Sequence, residues 1–182
     1  MMPIGPLMVE HRWIERMVLD LQSRLDDPSS EAVIDSAFVD RLVDFLRGYA
    51  DRCHHGKEED ILFRALAGKG LALDLAEIMQ QLSEEHAWAR QTTKRLVAAN
   101  ASLAAGDRAA LSQVRGMLAD LAAFYPVHIE KEDKRFFRPA VAYFTREEQD
   151  AMLREFIDFD ASLVHERYHR IVEEVEAETA PR

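Results

Sequence analysis

The chain has 182 residues, of which 48% are hydrophobic, and it carries a formal net charge of −10. This length fits one domain with a sizeable core, and the acidic balance argues against nucleic acid or an anionic membrane surface as a partner, because both need clustered Lys and Arg. No uncharged apolar stretch approaches the roughly 18 residues of a membrane span. Cys53 is the only cysteine, and the amino terminus lacks the basic start and apolar run of a secretion signal. We therefore expect a soluble, cytoplasmic protein without disulfides.

Helix-period patterning predicts an all-α protein. We expect helices over residues 6–25, 31–66, 71–100, 108–137 and 145–178, with Gly and Pro in the turns. The residues from Thr145 to Glu148 match a capping box that would open the fifth helix. Because short loops make successive helices antiparallel, the first four should form an up-down-up-down bundle over residues 1–140. Residues 141–182 should form a C-terminal helical extension packed on the same domain.

Two short strings each occur twice, in the same order. Glu-His-x-Trp occurs in copies 75 residues apart and includes both tryptophans of the chain, and His-x-x-x-Glu-Asp-x-x-Phe occurs in copies 73 residues apart. The chain therefore resembles two copies of one helical pair, each with two imidazoles and one carboxylate. The strings place six candidate metal ligands: His11, His55, Glu59, His86, His128 and Glu132.

These residue types in this spacing favour a metal pair. Residues four apart share a helix face, so His55 with Glu59, and His128 with Glu132, can each bind one ion together. His11 and His86 would supply imidazoles from the neighbouring helices. Imidazole with carboxylate suits iron, and also zinc or manganese, but not calcium. Two bridging carboxylates would hold two cations and leave a position for water or a small diatomic ligand.

Several other residues could complete the metal sphere. His54 should point about 100° away from His55 on an α-helix, although a shifted register would use His54 with Glu58 instead. His165 and His169 are four apart on the fifth helix, where a solvated face is the competing interpretation. Cys53 fits a small buried residue better than a redox group.

Residues beside the candidate ligands have expected roles of their own. The carboxylates of Glu10, Glu85 and Asp133 could orient the imidazoles through the ring nitrogen that does not face the metal. Trp13 and Trp88 should pack in the core around the site and keep it dry.

These motifs together resemble the hemerythrin-like (HHE cation-binding) domains. The resemblance rests on the His54-to-Phe63 string, on the Glu-His pairs at His11 and His86, and on the His128-to-Asp133 string, and it spans about residues 7–140. It implies a four-helix bundle that holds a non-haem di-iron centre. The family's ligands would fall on the six residues His11, His55, Glu59, His86, His128 and Glu132.

One departure from the oxygen-carrying members concerns the third helix. Those members have a second histidine one turn from the first, whereas Leu82 and Arg90 flank His86 here. The set therefore looks more like the family's four-histidine members.

The resulting functional hypothesis is a di-iron protein that binds, senses or scavenges a small oxidant or gas, such as oxygen, peroxide or nitric oxide, or that stores iron. An alternative is a di-iron enzyme for peroxide or nitric oxide turnover or iron oxidation, which would need an external reductase. A ferritin-like site that uses Glu166-x-x-His169, and a plain helical interaction module, are further alternatives.

Overall fold

The computed structural model describes residues 2–27, 34–161 and 165–179, and these residues form six helices and no strand. The helices are α1 (Ile4–Asp26), α2 (36–67), α3 (Leu73–Ala104), α4 (110–141), α5 (Arg146–Asp160) and α6 (His165–Thr179). The first four pack as a bundle, with α4 against α1 and α3, and α2 against α3. The prediction of an all-α bundle with a C-terminal helical extension is confirmed. The predicted start of the second helix, at residues 31–33, lies outside the described residues.

Two of the bundle helices contain wide π-helical turns. In α2 these turns cover Leu46–His55 and Glu58–Phe63, and in α4 they cover Glu132–Phe136. Because i→i+5 hydrogen bonding puts more residues into each turn, the rotation between neighbours is smaller than the roughly 100° of an α-helix. Successive side chains can therefore share one face of α2.

The core consists of two apolar clusters with a polar layer between them. On α1, Leu7 belongs to one cluster and Ile14 to the other, and His11 lies between them. Ala50 and Ile61 flank the histidines of α2 in the same way. The candidate ligands therefore occupy one level of the bundle, where apolar packing above and below holds each helix in place.

The C-terminal extension contains two helices where the sequence predicted one. In α5, Phe156 packs into one apolar cluster, whereas in α6 Val172 packs into the other. At about 100° per residue, a continuous helix would place Val172 roughly 160° around its axis from Phe156. Both side chains could not then face the bundle, and helix α5 ends at Asp160. The predicted capping box is present, since Thr145 and Glu148 exchange side-chain to backbone hydrogen bonds.

A search of the described helices finds none that is both long and apolar enough to span a bilayer.

Candidate metal centre

Five imidazoles and two carboxylates meet in the polar layer at the middle of the bundle. None is more than 2% exposed: His11 on α1, His54, His55 and Glu58 on α2, His86 on α3, and His128 and Glu132 on α4. They form two groups, and within each group the potential ligand atoms lie within 4.8 Å of one another. We call these the three-histidine group (His55, His86 and His128) and the two-histidine group (His11 and His54, with Glu58 and Glu132).

The two carboxylates lie between the groups. For Glu58, Oε1 lies 3.5 Å from Nε2 of His54 and Oε2 lies 3.4 Å from Nε2 of His86. For Glu132, Oε2 lies 3.1 Å from Nε2 of His11 and Oε1 lies 3.2 Å from Nε2 of His128. Each carboxylate thus directs one oxygen toward each group. This arrangement could bridge two cations, with three imidazoles on one side and two on the other.

The structure brings five of the six sequence-predicted ligands into these groups and adds two more residues. His11, His55, His86, His128 and Glu132 all lie there, and so do His54 and Glu58. Glu59 lies at the edge of the site, where its oxygens accept hydrogen bonds from Nδ1 of His86 and from Arg90.

The π-helical turns explain why adjacent histidines both enter the site. On a regular α-helix His54 and His55 would diverge by about 100°, but here they lie in one wide turn and both rings are buried. Glu58 follows His54 on the inner face. The signal available in the sequence was the second His-x-x-x-Glu pair, which a shifted register would have used.

Each inward-facing imidazole has an acidic side chain beside its Nδ1. Asp133 accepts from His11 at 2.8 Å, Glu10 accepts from His54 at 3.0 Å, Glu59 accepts from His86 at 2.7 Å, and Glu85 accepts from His128 at 2.8 Å. Asp51 lies 3.6 Å from Nδ1 of His55. The three carboxylates expected to orient imidazoles do so, although Glu10 contacts His54 and not its sequence neighbour. Such contacts fix the ring orientation and direct Nε2 into the site, where Nε2 of His11 and Nε2 of His54 lie 2.9 Å apart.

A basic side chain completes each of the four hydrogen-bonded arrangements. The pairs are Arg12 with Asp133, Lys57 with Glu10, Arg90 with Glu59, and Lys131 with Glu85. Although burial alone would raise the pKa of Glu10, hydrogen bonds with His54 and Lys57 lower it. Hydrogen bonds with the imidazole and with the basic side chain likewise outweigh burial and lower the pKa of Glu59 and of Glu85. These three ionised carboxylates therefore accept the imidazole N–H strongly.

The protonation pattern of the metal-free site is uneven. Burial would lower the pKa of His11, but the hydrogen bond to Asp133 and the adjacent carboxylate of Glu132 outweigh it and raise the pKa to about 9. For His128, burial is likewise outweighed, by the negative charge of Glu132 and by the hydrogen bond to Glu85, and the pKa rises to about 10. Burial and the neighbouring His11 lower the pKa of His54 to about 4. Burial, and then the charge of Glu132, raise the pKa of Glu58 well above its usual range.

The buried polar atoms of the site that lack a hydrogen bond are suited to bind a metal. Several buried atoms make no hydrogen bond: both ring nitrogens of His55, Nε2 of His86 and of His128, and all four oxygens of Glu58 and Glu132. Leaving one such group unsatisfied costs roughly 1–3 kcal/mol. These atoms converge on the same small volume, and imidazole nitrogen with carboxylate oxygen is a donor set for iron, zinc or manganese.

The other residues considered from the sequence lie elsewhere. His169 stacks on Trp13 with ring centroids 3.8 Å apart and belongs to neither group. The side chain of His165 lies outside the described residues. Cys53 is buried beside Asp160. Trp88 is 39% exposed and packs on Phe124, so only part of its surface is in the core.

Comparison with known proteins gives a match to a protein family. Neither a comparison with curated proteins nor one with solved structures found a significant match. The family model described as Hemerythrin HHE cation binding domain matches residues 2–140, which include all seven residues of the two groups. The four bundle helices and the buried histidine and glutamate groups agree with this match, and the chain belongs to the hemerythrin HHE cation-binding domain family.

Proposed function

We propose that the bundle binds two iron ions and uses them to bind, sense or scavenge a small oxidant or gas, such as oxygen, peroxide or nitric oxide. The observation that supports two ions is the placement of Glu58 and Glu132, each of which has one oxygen toward the three-histidine group and one toward the two-histidine group. A single ion would leave the inward-facing Nε2 atoms of one group without a metal to bind. Zinc or manganese would suit the same donors.

In this proposal the ligands divide between the two ions. His55, His86 and His128 would hold one ion and His11 and His54 the other, with Glu58 and Glu132 each offering one oxygen to each ion. This assignment replaces Glu59 with Glu58 and adds His54 to the six residues predicted from the sequence. With two imidazoles against three, the two-histidine group offers fewer protein ligands. The bound metals would supply redox change and Lewis acidity.

A cavity supports access by a small molecule. Its volume is about 290 Å³, and it reaches from the exposed side chains of Arg47 and Lys94 to the buried ring of His55. Tyr125 and Thr93 line its wall. The cavity could therefore admit water and diatomic or similarly small ligands to the edge of the three-histidine group, while the apolar clusters above and below exclude bulk water.

Anaerobic iron loading tests the proposal. We expect the full chain to retain about two ferrous ions, and we expect a chelator to lower the midpoint of thermal unfolding, since metal bound only by the folded state stabilises it. Exposure to oxygen, peroxide or nitric oxide should then change the near-ultraviolet and visible absorption. A chain that retains less than one metal ion, and whose unfolding is indifferent to chelator, would instead support a plain helical interaction module.

A further inference from the structure

The basic residue that supports His54 differs from the other three in its burial. The side chains of Arg12, Arg90 and Lys131 are 54%, 38% and 15% exposed, whereas that of Lys57 is 0% exposed. A buried ammonium has three donors to satisfy and a charge that water cannot stabilise. Glu10 offers Lys57 one oxygen, because its other oxygen is bonded to His54, and this single acceptor is not enough for the three donors.

Asp160 supplies further hydrogen-bond acceptors and a second negative charge to the buried ammonium of Lys57. Nζ of Lys57 donates to Oδ1 and Oδ2 of Asp160 at 2.7 and 2.8 Å. The result is a continuous chain of charged hydrogen bonds from Asp160 through Lys57 and Glu10 to Nδ1 of His54. Glu15 lies behind Arg12 and Asp51 behind Arg90 in a similar way, but all four of these side chains are 34% or more exposed and belong to bundle helices.

Asp160 reaches this position because α5 approaches α2 closely. Gly56 permits the approach, since a Cβ at this position would lie 2.8 Å from Cζ of Phe159. Phe159 covers Gly56 and the next residue, Asp160, turns toward Lys57 and lies 3.6 Å from Sγ of Cys53. Helix α5 follows residue 140, where the family match ends.

We propose that Asp160, from the C-terminal extension, is a positioning residue for the metal ligand His54 and acts through Lys57 and Glu10. This inference rests on the proposed binding of two ions. Without the charge of Asp160, the buried Lys57 must draw on Glu10 alone, and Glu10 can no longer hold the His54 ring in a fixed orientation. The affinity of the two-histidine group for its ion would fall, while the three-histidine group keeps its own supporting carboxylates.

The test is a Co²⁺ titration of the full chain, followed by visible absorption and by competition with a chelating indicator. We expect the wild type to bind two ions. Asp160→Asn should bind one ion with unchanged affinity and the other about 10- to 100-fold more weakly, which is the usual effect of removing such a partner. Glu10→Gln should change the visible absorption of this more weakly bound ion in the same way as Asp160→Asn does. Asp158→Asn, an exposed change two residues away on α5, is the matched control and should behave as the wild type.

The outcomes separate this inference from the proposed function. If the wild type binds fewer than two ions, the proposed two-ion function fails. If the wild type binds two and folded Asp160→Asn binds both with wild-type affinity and spectrum, or loses both equally, the positioning role is overturned even if the variant is less stable. Should Asp160→Asn fail to fold by circular dichroism, Asp160→Glu keeps the charge but displaces the carboxylate. A selective weakening of one ion in that variant supports the proposal, and two wild-type affinities overturn it.

Discussion

Nδ1 of His86 donates a hydrogen bond of 2.7 Å to Oε1 of Glu59, which lies outside the two metal-ligand groups. Arg90 holds the other oxygen of the same carboxylate at 2.9 Å. Glu59 therefore orients an imidazole from outside, whereas its neighbour Glu58 directs both oxygens into the site. Two adjacent glutamates thus have different expected effects on metal binding.

Substitution of these two glutamates should separate a ligand from an orienting residue. Glu58→Gln removes a bridging carboxylate, and we expect it to reduce the bound metal from about two ions per chain to one or fewer, because bridged ions share that ligand. Glu59→Gln should retain two ions with about 10- to 100-fold weaker affinity.

The measurement is metal content by mass spectrometry after equilibration at a buffered free metal concentration. Circular dichroism serves as the control that both variants fold. The reverse order, with Glu59→Gln losing metal and Glu58→Gln retaining it, would restore the register first predicted from the sequence.

Metal binding should release protons at neutral pH. His11 and His128, with pKa values raised to about 9 and about 10, are protonated there in the metal-free protein, and so is Glu58, whose pKa is raised by burial and by Glu132. Each must lose its proton to become a ligand, so higher pH favours binding. We expect Zn²⁺ affinity to rise between about pH 6 and about pH 8.

Titration of Zn²⁺ into weakly buffered metal-free protein, with a pH indicator, measures this release directly. Ca²⁺ is the control, because it prefers sites made of oxygen ligands and should release no protons at the same concentrations. An affinity for Zn²⁺ that stays constant over this pH range would contradict the assigned protonation of the metal-free site.

Two glycines on different helices should respond oppositely to alanine. Gly116 lies exposed on α4, and a Cβ there would meet no atom within 4 Å. Gly116→Ala should stabilise the protein by roughly 0.5–1 kcal/mol, since alanine is the better helix former. At Gly48 a Cβ would lie 1.8 Å from the hydroxyl oxygen of Tyr168 on α6, so Gly48→Ala should destabilise the fold by roughly 1–3 kcal/mol.

Urea denaturation of the metal-free variants gives both free energies of unfolding, provided that the dependence on urea is unchanged. The two substitutions are chemically identical, so each controls for the helix propensity of the other. Equal stabilisation by both would mean that α6 does not pack against Gly48 in solution.

Much of the site could be predicted because helix periodicity is a local property. His128 and Glu132 lie four apart and do face the same interior, and His11 and His86, which the doubled strings singled out, lie in the same buried groups. Three of the orienting carboxylates, Glu10, Glu85 and Asp133, were also predicted, but each contacts an imidazole on another helix, and the sequence did not indicate which one. Trp88 was not, since the repeated Glu-His-x-Trp string carries no information about how far its helix is covered by α4.

By itself the sequence determined the all-α bundle, the family and most of the candidate ligands, because apolar spacing and repeated short motifs encode them directly. The tertiary structure placed Glu58 inside the two groups and Glu59 at their edge, and it brought His54 in beside His55. This placement depends on the wide turns of α2, whereas the apolar spacing of the sequence predicted a regular α-helix there. The tertiary structure also placed Asp160 behind Lys57, since a contact between residues 103 positions apart has no local signature.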